Sequence, residues 1–320
     1  MNLLITGSSG FIGANLINSL KKEVNFIYGI DNHNDVVYHS KFKKFRSNIL
    51  RNISNFKEYI IDLSHTADIE EIIKEKKIDM IIHLAAHPGV RLSSDNPILY
   101  VDNNINNFFN IINLAKKYQL GFIYASSSSV YNSKVNQIPF SENEISYNPD
   151  SIYGYTKYSN ELIAKIYLGK YKFKSIGMRF FSVYGEMGRP DMAIMSFIYS
   201  LKNNKKIKLN NFGKTKRDYT SIKSVVDVIK NIIFKFEKLD NYFIFNIGNT
   251  EPIETGKILN FLIKLSKVKP PNIEHKRIVE QISTFADMKR TELILGKTLK
   301  YDIYDELPNI YNWVTDNNYF

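Results

Sequence analysis

Short apolar runs alternate with longer segments of helical periodicity along the first half of the chain. The apolar runs are continuous, as strands buried in a parallel sheet are. Strand–helix–strand repeats of this kind predict a parallel sheet with helices on both faces. The predicted strands lie near 2–6, 26–30, 58–62, 80–85, 122–127 and 175–181, and the predicted helices near 11–22, 66–76, 98–117 and 153–170.

The pattern changes after about residue 182. Loops containing glycine, proline, asparagine and arginine separate predicted helices near 192–203, 223–237, 256–266 and 305–317. We therefore predict an α/β fold in which a doubly wound parallel sheet is joined to a smaller mixed α/β lobe. Such a lobe would cover the carboxyl ends of the strands, where open α/β sheets bind ligands. The predicted boundary divides the chain into 1–181 and 182–320, with about 225–250 crossing back to the sheet.

Three glycines between the first predicted strand and the first predicted helix indicate nucleotide binding. Gly7, Gly10 and Gly13 have the spacing G-x-x-G-x-x-G, which lets backbone N–H groups approach a pyrophosphate at a helix N-terminus. Asp31 follows the second predicted strand, where a carboxylate binds ribose hydroxyls and repels a 2′-phosphate. We therefore predict that 1–181 is a Rossmann-type domain that binds NAD rather than NADP. A glycine turn followed by a surface carboxylate is the alternative.

Further cofactor contacts are predicted at the same ends of the strands. Asn32 and the residue after it supply no arginine to receive a 2′-phosphate, which also favours NAD. Several of the further contacts, taken singly, are equally compatible with ordinary packing. The predicted contacts are Phe11, Ile12, Asn32, Asp62, Leu63, Leu84, Ala85 and Ala86.

The segment SIYGYTKYSNE, at 151–161, contains a tyrosine and a lysine at helical spacing. Tyr153 and Lys157 are four residues apart, so their side chains share one helix face. A phenol that acts as a base near neutral pH needs its pKa lowered by about three units, and an ammonium with the positive nicotinamide ring supplies most of this. Lys157 is predicted to hold the nicotinamide ribose as well. Ser127, at the end of the fifth predicted strand, is predicted to bond the hydroxyl that Tyr153 deprotonates. A structural tyrosine is the alternative.

The 320 residues include no cysteine and carry a formal net charge of +11. Without cysteine, disulfides and thiolate metal sites are excluded, which fits a reducing cytoplasm. The charge favours an anionic partner, although most lysines lie on predicted helix faces rather than in a nucleic-acid-binding stripe. No apolar run is long enough to cross a bilayer, and the histidines lack ligand spacing. We expect a cytoplasmic protein that binds no metal, nucleic acid or membrane.

Taken together, these motifs resemble the extended short-chain dehydrogenase/reductases of the NAD-dependent epimerase/dehydratase family. The glycine motif, Asp31, HLAA, SSSSVYN, the Tyr153–Lys157 pair and RFFSVYG occur in the family's order over nearly the whole chain. GIDNHND, AAHPGVRLSSDNP, YGEMGRPDM, RDYTSI and FNIGNTEPIE most resemble the UDP-glucuronate 4-epimerase branch. The resemblance implies that Ser127, Tyr153 and Lys157 catalyse NAD-dependent oxidation at C4 of a nucleotide sugar, after which hydride returns to its other face.

The resemblance also implies a set of substrate contacts. An arginine fork suits a carboxylate or a diphosphate. The implied contacts to the sugar or its carboxylate are Ser128, Ser129, Ser182 and Arg189, those near the nucleotide and diphosphate are Arg91 and Arg217, and His87 faces the predicted cleft. Sugar-nucleotide 4,6-dehydratases have an acidic pair where this chain has Ser128 and Ser129, so dehydration is not expected.

Several departures from the family's usual residues lie in the substrate half of the chain. They leave the C4 redox chemistry untouched, and they keep open a 4-dehydrogenase of another nucleotide sugar, such as a GDP-heptose. A non-catalytic NAD-sensing or nucleic-acid-binding regulator is the alternative from a different class. The departures are Asn132, Glu186, Met187, Lys223, Ser224, His87 and Pro88.

A homodimer is a further implication of the resemblance. Predicted helices 98–117 and 153–170 resemble those that form a four-helix interface in the family, although their apolar faces equally suit covering the sheet. The resemblance also implies a role in sugar supply for bacterial capsule or other surface polysaccharide.

Overall fold

A parallel sheet of seven strands forms the centre of the molecule. The computed structural model describes residues 1–132, 138–143, 148–239, 243–278 and 282–320. The strands of the described residues are β1 (Asn2–Thr6), β2 (Phe26–Asp31), β3 (Phe56–Ile60), β4 (Met80–His83), β5 (Gly121–Ser127), β6 (Ile176–Phe180), β7 (Ser182–Tyr184), β8 (Ile207–Asn210), β9 (Lys216–Ser221), β10 (Phe243–Ile247), β11 (Pro252–Glu254), β12 (Ile273–Lys276) and β13 (Ser283–Thr284).

Helices connect these strands and cover both faces of the sheet. The α-helices of the described residues are α1 (Phe11–Leu20), α2 (Lys41–Leu50), α3 (Thr66–Glu75), α4 (Val90–Asp95), α5 (Pro97–Val101), α6 (Asn107–Lys117), α7 (Ile152–Tyr171), α8 (Ala193–Lys202), α9 (Ile222–Lys235), α10 (Thr255–Ser266), α11 (Lys289–Leu295) and α12 (Ile303–Asp316). In this part of the chain, no helix has the length and apolar character needed to span a membrane.

The order of the strands creates a binding crevice. It is β10-β6-β5-β4-β1-β2-β3, and every neighbouring pair is parallel. The chain places β2 and β3 on one side of β1 before it crosses to β4 on the other side. Connections diverge at this reversal, so a crevice opens at the carboxyl ends of β1 and β4. The predicted doubly wound, Rossmann-type sheet is confirmed.

Alternate side chains of each strand pack on opposite faces of the sheet. Leu3 and Ile5 of β1 join a core with α1 and α9, whereas Leu4 joins a second core with α3, α6 and α7. All three side chains are fully buried. Because successive strand residues point to opposite faces and both faces are covered, the strand sequences are continuously apolar.

The C-terminal part of the chain forms a smaller lobe and also extends the main sheet. In the lobe, β9 pairs with β7, β11 and β13, while β8 pairs with β12. Ile198, Leu259 and Leu307 lie in a separate core formed by α8, α10 and α12. The helix α9 instead packs against α1, and β10 is the edge strand beside β6.

Several segments differ from the predicted elements. The helix α2 was not predicted, because two of its four buried residues, Arg46 and Ser47, are polar and break the apolar pattern. The predicted helix 98–117 consists of α5, a π-helical turn at Asp102–Asn106, and α6. The strand β3 begins and ends two residues before the predicted 58–62.

A buried ion pair joins α7 to β6. Arg179 donates from Nε and Nη2 to the carboxylate of Glu161, at 2.8 and 2.7 Å. The hydroxyl of Ser126, on β5, donates to the same carboxylate at 2.5 Å, and Tyr131 accepts from Arg179 at 2.6 Å. Neither charged side chain is more than 5% exposed. The pair therefore fixes the helix that carries the predicted catalytic residues.

We predict that Glu161→Ala lowers the free energy of unfolding by about 3–5 kcal/mol, because it leaves Arg179 buried and without its carboxylate. Denaturant unfolding would measure the loss. Glu75→Ala is the matched control: its pair with Lys76, at 3.1 Å, is partly exposed, so the expected change is less than about 1 kcal/mol. Equal losses in the two variants would contradict the prediction.

Candidate active site

A large cleft lies at the carboxyl ends of the central strands, between the sheet and the segment that follows β6. Its walls come from the loop after β1, the segment after β2, the start of α7, and residues between 180 and 192. The predicted site residues that line it are Gly7, Gly10, Phe11, Ile12, Gly13, Asp31, Asn32, Asp62, Leu63, Leu84, Ala85, Ala86, His87, Ser127, Tyr153, Lys157 and Arg189. The fold therefore brings most of the predicted site residues together in one cleft.

Glycine is required in the loop between β1 and α1. Gly7 has a φ of +72°, and a Cβ there would lie 2.8 Å from the backbone nitrogen of Ala85. A Cβ on Gly13 would lie 2.2 Å from the carbonyl oxygen of Gly7. The helix α1 begins at Phe11, and Gly10 before it provides no side-chain cap. The first N–H groups of the helix thus remain available to an anion, as the pyrophosphate of a dinucleotide requires.

Asp31 and Lys43 lie together where a ribose is predicted to bind. Asp31 is 8% exposed and accepts a hydrogen bond from the backbone N–H of His33 at 2.9 Å. The Lys43 ammonium lies 3.9 Å from the Asp31 carboxylate. Burial lowers the pKa of Lys43, and Asp31 opposes that effect. A carboxylate acceptor beside an ammonium donor fits the two hydroxyls of an unphosphorylated ribose.

A carboxylate with a buried side chain holds the glycine-containing loop through two of its serines. Glu58 accepts hydrogen bonds from the hydroxyls of Ser8, Ser9 and Ser47, at 2.6, 2.5 and 2.5 Å. Burial alone would raise the pKa of Glu58, but hydrogen bonds from His33 and the three serines outweigh it and lower the pKa to about 2. Glu58 is therefore ionised at neutral pH and holds both serines of the loop.

Tyr153, Lys157 and Ser127 line the same cleft. The Lys157 ammonium donates to the backbone carbonyl of Ala125 at 3.0 Å, and burial lowers the pKa of Lys157 to about 8. Burial raises the pKa of Tyr153, whereas the Ser127 hydroxyl and the charge of Arg189 lower it in part. These protein groups leave the phenol protonated at neutral pH. The predicted lowering by Lys157 and a nicotinamide ring stays a prediction.

The π-helical turn at Asp102–Asn106 anchors the start of α7. The Asn104 amide donates to Thr156 Oγ1 at 3.1 Å and to the carbonyl of His87 at 3.0 Å. Its oxygen accepts from the backbone N–H of His87 at 2.8 Å. Burial lowers the pKa of His87 to about 4, so this side chain is neutral at pH 7. The π-helical segment therefore connects the N-terminal part of α7 to the cleft wall after β4.

The model of the NAD dependent epimerase/dehydratase family matches residues 3–248. The chain belongs to this family. The predicted family and the predicted cofactor, NAD, are thereby confirmed. The glycine cradle and Asp31 fit that cofactor: the loop would hold the pyrophosphate and the carboxylate would bind the adenosine ribose.

Named relatives are similar to this family member over most or nearly all of its length. UDP-glucuronate 4-epimerase of Thermodesulfobacterium geofontis is 35% identical, over 98% of this chain and 96% of its own. Protein CapI of Staphylococcus aureus is 35% identical, over 79% of this chain and 80% of its own. The crystal structure of UDP-glucuronic acid 4-epimerase from Bacillus cereus, in complex with UDP-glucuronic acid and NAD, has a TM-score of 0.89 and 28% identity, and the match covers 99% of both chains. The predicted enzyme class and branch are confirmed.

Of the substrate contacts that the family resemblance implies, some line the cleft and others do not. Arg189 lines the cleft and forms a bidentate pair with Asp191, at 3.1 and 2.5 Å. Arg91 lies on α4, where its guanidinium reaches the side chain of Asn210 at 2.6 Å. The predicted contacts that are not among the cleft-lining residues are Arg91, Ser128, Ser129, Ser182 and Arg217.

Several polar residues of the cleft were missed by sequence reasoning. Lys43 lies on α2 and Tyr38 lies in the segment before it. Neither α2 nor that segment was among the predicted elements. The lysine-rich composition of that stretch hid Lys43 among surface charges. The missed polar residues are Asn34, Tyr38, Lys43, Asn103 and Asn107.

We predict that Gly13→Ala weakens NAD binding by about tenfold or more, because overpacking of this kind costs about 1–3 kcal/mol. The dissociation rate of NAD from the purified protein would measure the change. Gly169→Ala is the matched control, since a Cβ there meets nothing within 4 Å. It should leave NAD binding intact and raise the free energy of unfolding by about 0.5–1 kcal/mol. A folded Gly13→Ala protein that holds NAD as the wild type does would refute the predicted role of the loop.

Proposed function

We propose that this protein is an NAD-dependent nucleotide-sugar 4-epimerase whose substrate is UDP-glucuronate. The observation that carries the proposal is that Tyr153, Lys157 and Ser127 line the same cleft as the glycine loop and Asp31, and that the Tyr153 phenol is hydrogen-bonded to Ser127. Similarity to UDP-glucuronate 4-epimerases over nearly the whole chain supports the choice of substrate.

Tyr153 is the proposed base for the hydroxyl at C4 of the sugar. Its phenol is hydrogen-bonded to the Ser127 hydroxyl, which would bond the same substrate oxygen. Lys157, with a pKa of about 8, is mostly charged at neutral pH. Its positive charge would favour tyrosinate. When bound, NAD supplies a reversible hydride acceptor beside C4. Tyr153 would return the proton once the sugar has presented its other face.

The glucuronate carboxylate is proposed to bind Arg189. This guanidinium lines the cleft and acts on the Tyr153 phenol, so it lies within electrostatic reach of the reacting end. We propose further that 182–320 is the nucleotide-sugar lobe. Ser182 of this lobe, with Ser128 and Ser129 from outside it, would contact the sugar. Arg217 of the lobe, with Arg91 from outside it, would contact the diphosphate.

We predict that Tyr153→Phe lowers the rate of C4 inversion of UDP-glucuronate by about 10²- to 10⁴-fold, because it removes the base. Product would be measured by NMR, and the reduction state of the cofactor by NADH absorbance. The matched control is Tyr155→Phe, which removes a phenol from the same helix at a position that is 50% exposed and should keep full activity.

Other outcomes separate the competing functions. Persistent NADH with release of a ketone product would favour the C4 dehydrogenase, and turnover of GDP-sugars alone would change the substrate. Full function in Tyr153→Phe, with nucleic-acid binding that falls steeply with salt, would favour a non-catalytic regulator. Persistent NADH with a ketone product, or full function in Tyr153→Phe, would overturn the epimerase proposal, whereas turnover of GDP-sugars alone would overturn only the choice of UDP-glucuronate.

A homodimer is proposed through the helices that cover one side of the molecule. Ile98 on α5, Phe109 on α6, and Leu162 and Ile166 on α7 are between 39% and 74% exposed. Packing α7 and its neighbours against the same helices of a second copy would remove these side chains from water. We propose the symmetric pairing as the state of the protein in solution.

We predict that replacing Leu162 and Ile166 together by glutamate converts the dimer to a monomer, because the new charges would be buried at the interface. Light scattering coupled to gel filtration would measure the mass. Leu293→Glu, on α11 and 86% exposed, is the control and should not alter it. A monomeric wild type, or a dimeric double variant, would contradict this interface.

We also propose a role in surface-polysaccharide sugar supply in the cytoplasm. The similarity to Protein CapI supports the first part. The absence of cysteine from the sequence fits the second, because reducing compartments do not rely on disulfides.

A further inference from the structure

A fully buried arginine lies behind the cleft and is not among the residues that line it. Arg46, on α2, directs all five of its N–H groups to uncharged oxygen atoms. Three are backbone carbonyls and two are phenols. The Nε group donates to Met187 O at 2.9 Å, Nη1 to Ser9 O at 3.2 Å and Tyr38 OH at 3.0 Å, and Nη2 to Gly188 O at 3.2 Å and Tyr319 OH at 2.6 Å.

These carbonyls belong to two different walls of the cleft. Ser9 lies in the loop between β1 and α1, which fits the pyrophosphate. Met187 and Gly188 immediately precede Arg189, the guanidinium that faces the reacting end. One planar group therefore sets the distance between the dinucleotide wall and the sugar wall. A rigid fork suits this task, since its donors are fixed relative to one another.

Tyr319, which follows α12, completes the contact. The hydroxyl of Tyr319 accepts from Arg46 and lies 3.2 Å from Met187 O and 2.9 Å from Gly188 O, to which it can donate its one hydrogen. Its ring packs edge to face on Phe42 and Phe45, both on α2. Tyr319 is only 3% exposed.

We propose that Arg46 and Tyr319 are positioning residues that fix the sugar-binding segment at 187–189 relative to the dinucleotide loop. The assignment of one wall to the sugar rests on the proposed function. Burial of a charge without a carboxylate is costly, and a well-packed apolar side chain would serve stability at least as well. The directed bonds to two opposite walls are what an apolar side chain would not provide.

Tyr319→Phe tests the sugar side of this arrangement, because it removes one hydroxyl and keeps the aromatic packing. We expect KM for UDP-glucuronate to rise about fivefold, the loss of roughly one hydrogen bond, while the rate of NAD dissociation stays within about twofold. Tyr199→Phe is the matched control. It removes a phenol from the same aromatic cluster, where Tyr199 contacts Phe320, and should change neither constant.

Arg46→Lys tests the connection between the two walls. An ammonium keeps the charge but has three donors, so it cannot satisfy five acceptors in these directions. We expect both faster NAD dissociation and a higher KM, each by about fivefold or more. In the double variant the increase in KM should be less than the product of the two single effects, because both side chains act on the same segment.

The outcomes are distinct from failure of the proposed function. Should the wild type not convert UDP-glucuronate, NAD dissociation from the holoenzyme and calorimetric titration with UDP still decide the role of Arg46. A lower melting temperature in Arg46→Lys and Tyr319→Phe, with NAD dissociation, UDP affinity and KM all at wild-type values, would mean a structural role alone and would overturn the proposal.

Discussion

The approach of two glycine backbones after β1 is the constraint on which the rest of the site depends. Gly13 lies so near the Gly7 carbonyl that a methyl group would be 2.2 Å from its oxygen. This approach lets α1 start directly behind the strand, with its free N–H groups at the cleft. The loop is held from below by Glu58, through Ser8 and Ser9, so its conformation is set before any ligand arrives.

The opposite end of the cleft depends on how α7 is fixed against the sheet. The buried pair of Arg179 and Glu161 holds its middle, while Asn104 holds its first turn through Thr156. The result is a phenol whose pKa is raised by its own protein environment. In that environment, a positive charge delivered next to the phenol has a larger effect than it would have in water. The Tyr153 phenol would then become a strong enough base only when NAD is bound.

Much of the fold could be predicted because its signals are local. Continuous apolar runs marked the strands β1, β2, β4, β5 and β6 within a few residues, since strands covered on both faces tolerate few polar side chains. The helix α2 was missed because two of its four buried residues, Arg46 and Ser47, are polar. The same omission hid Lys43 and Arg46, whose surroundings are contributed by segments far away in the sequence.

By itself, the sequence determined the alternation of most strands and helices in the first half of the chain, the glycine loop, and the spacing of the tyrosine and lysine on one helix face. These depend on the period of a strand or a helix and on the size of single residues. Only the tertiary structure decided that Ser9, Met187, Gly188 and Tyr319 meet at one guanidinium, and that Arg217 lies away from the cleft lining. Such contacts join residues up to 273 positions apart, and their distances are set by the packing of whole layers.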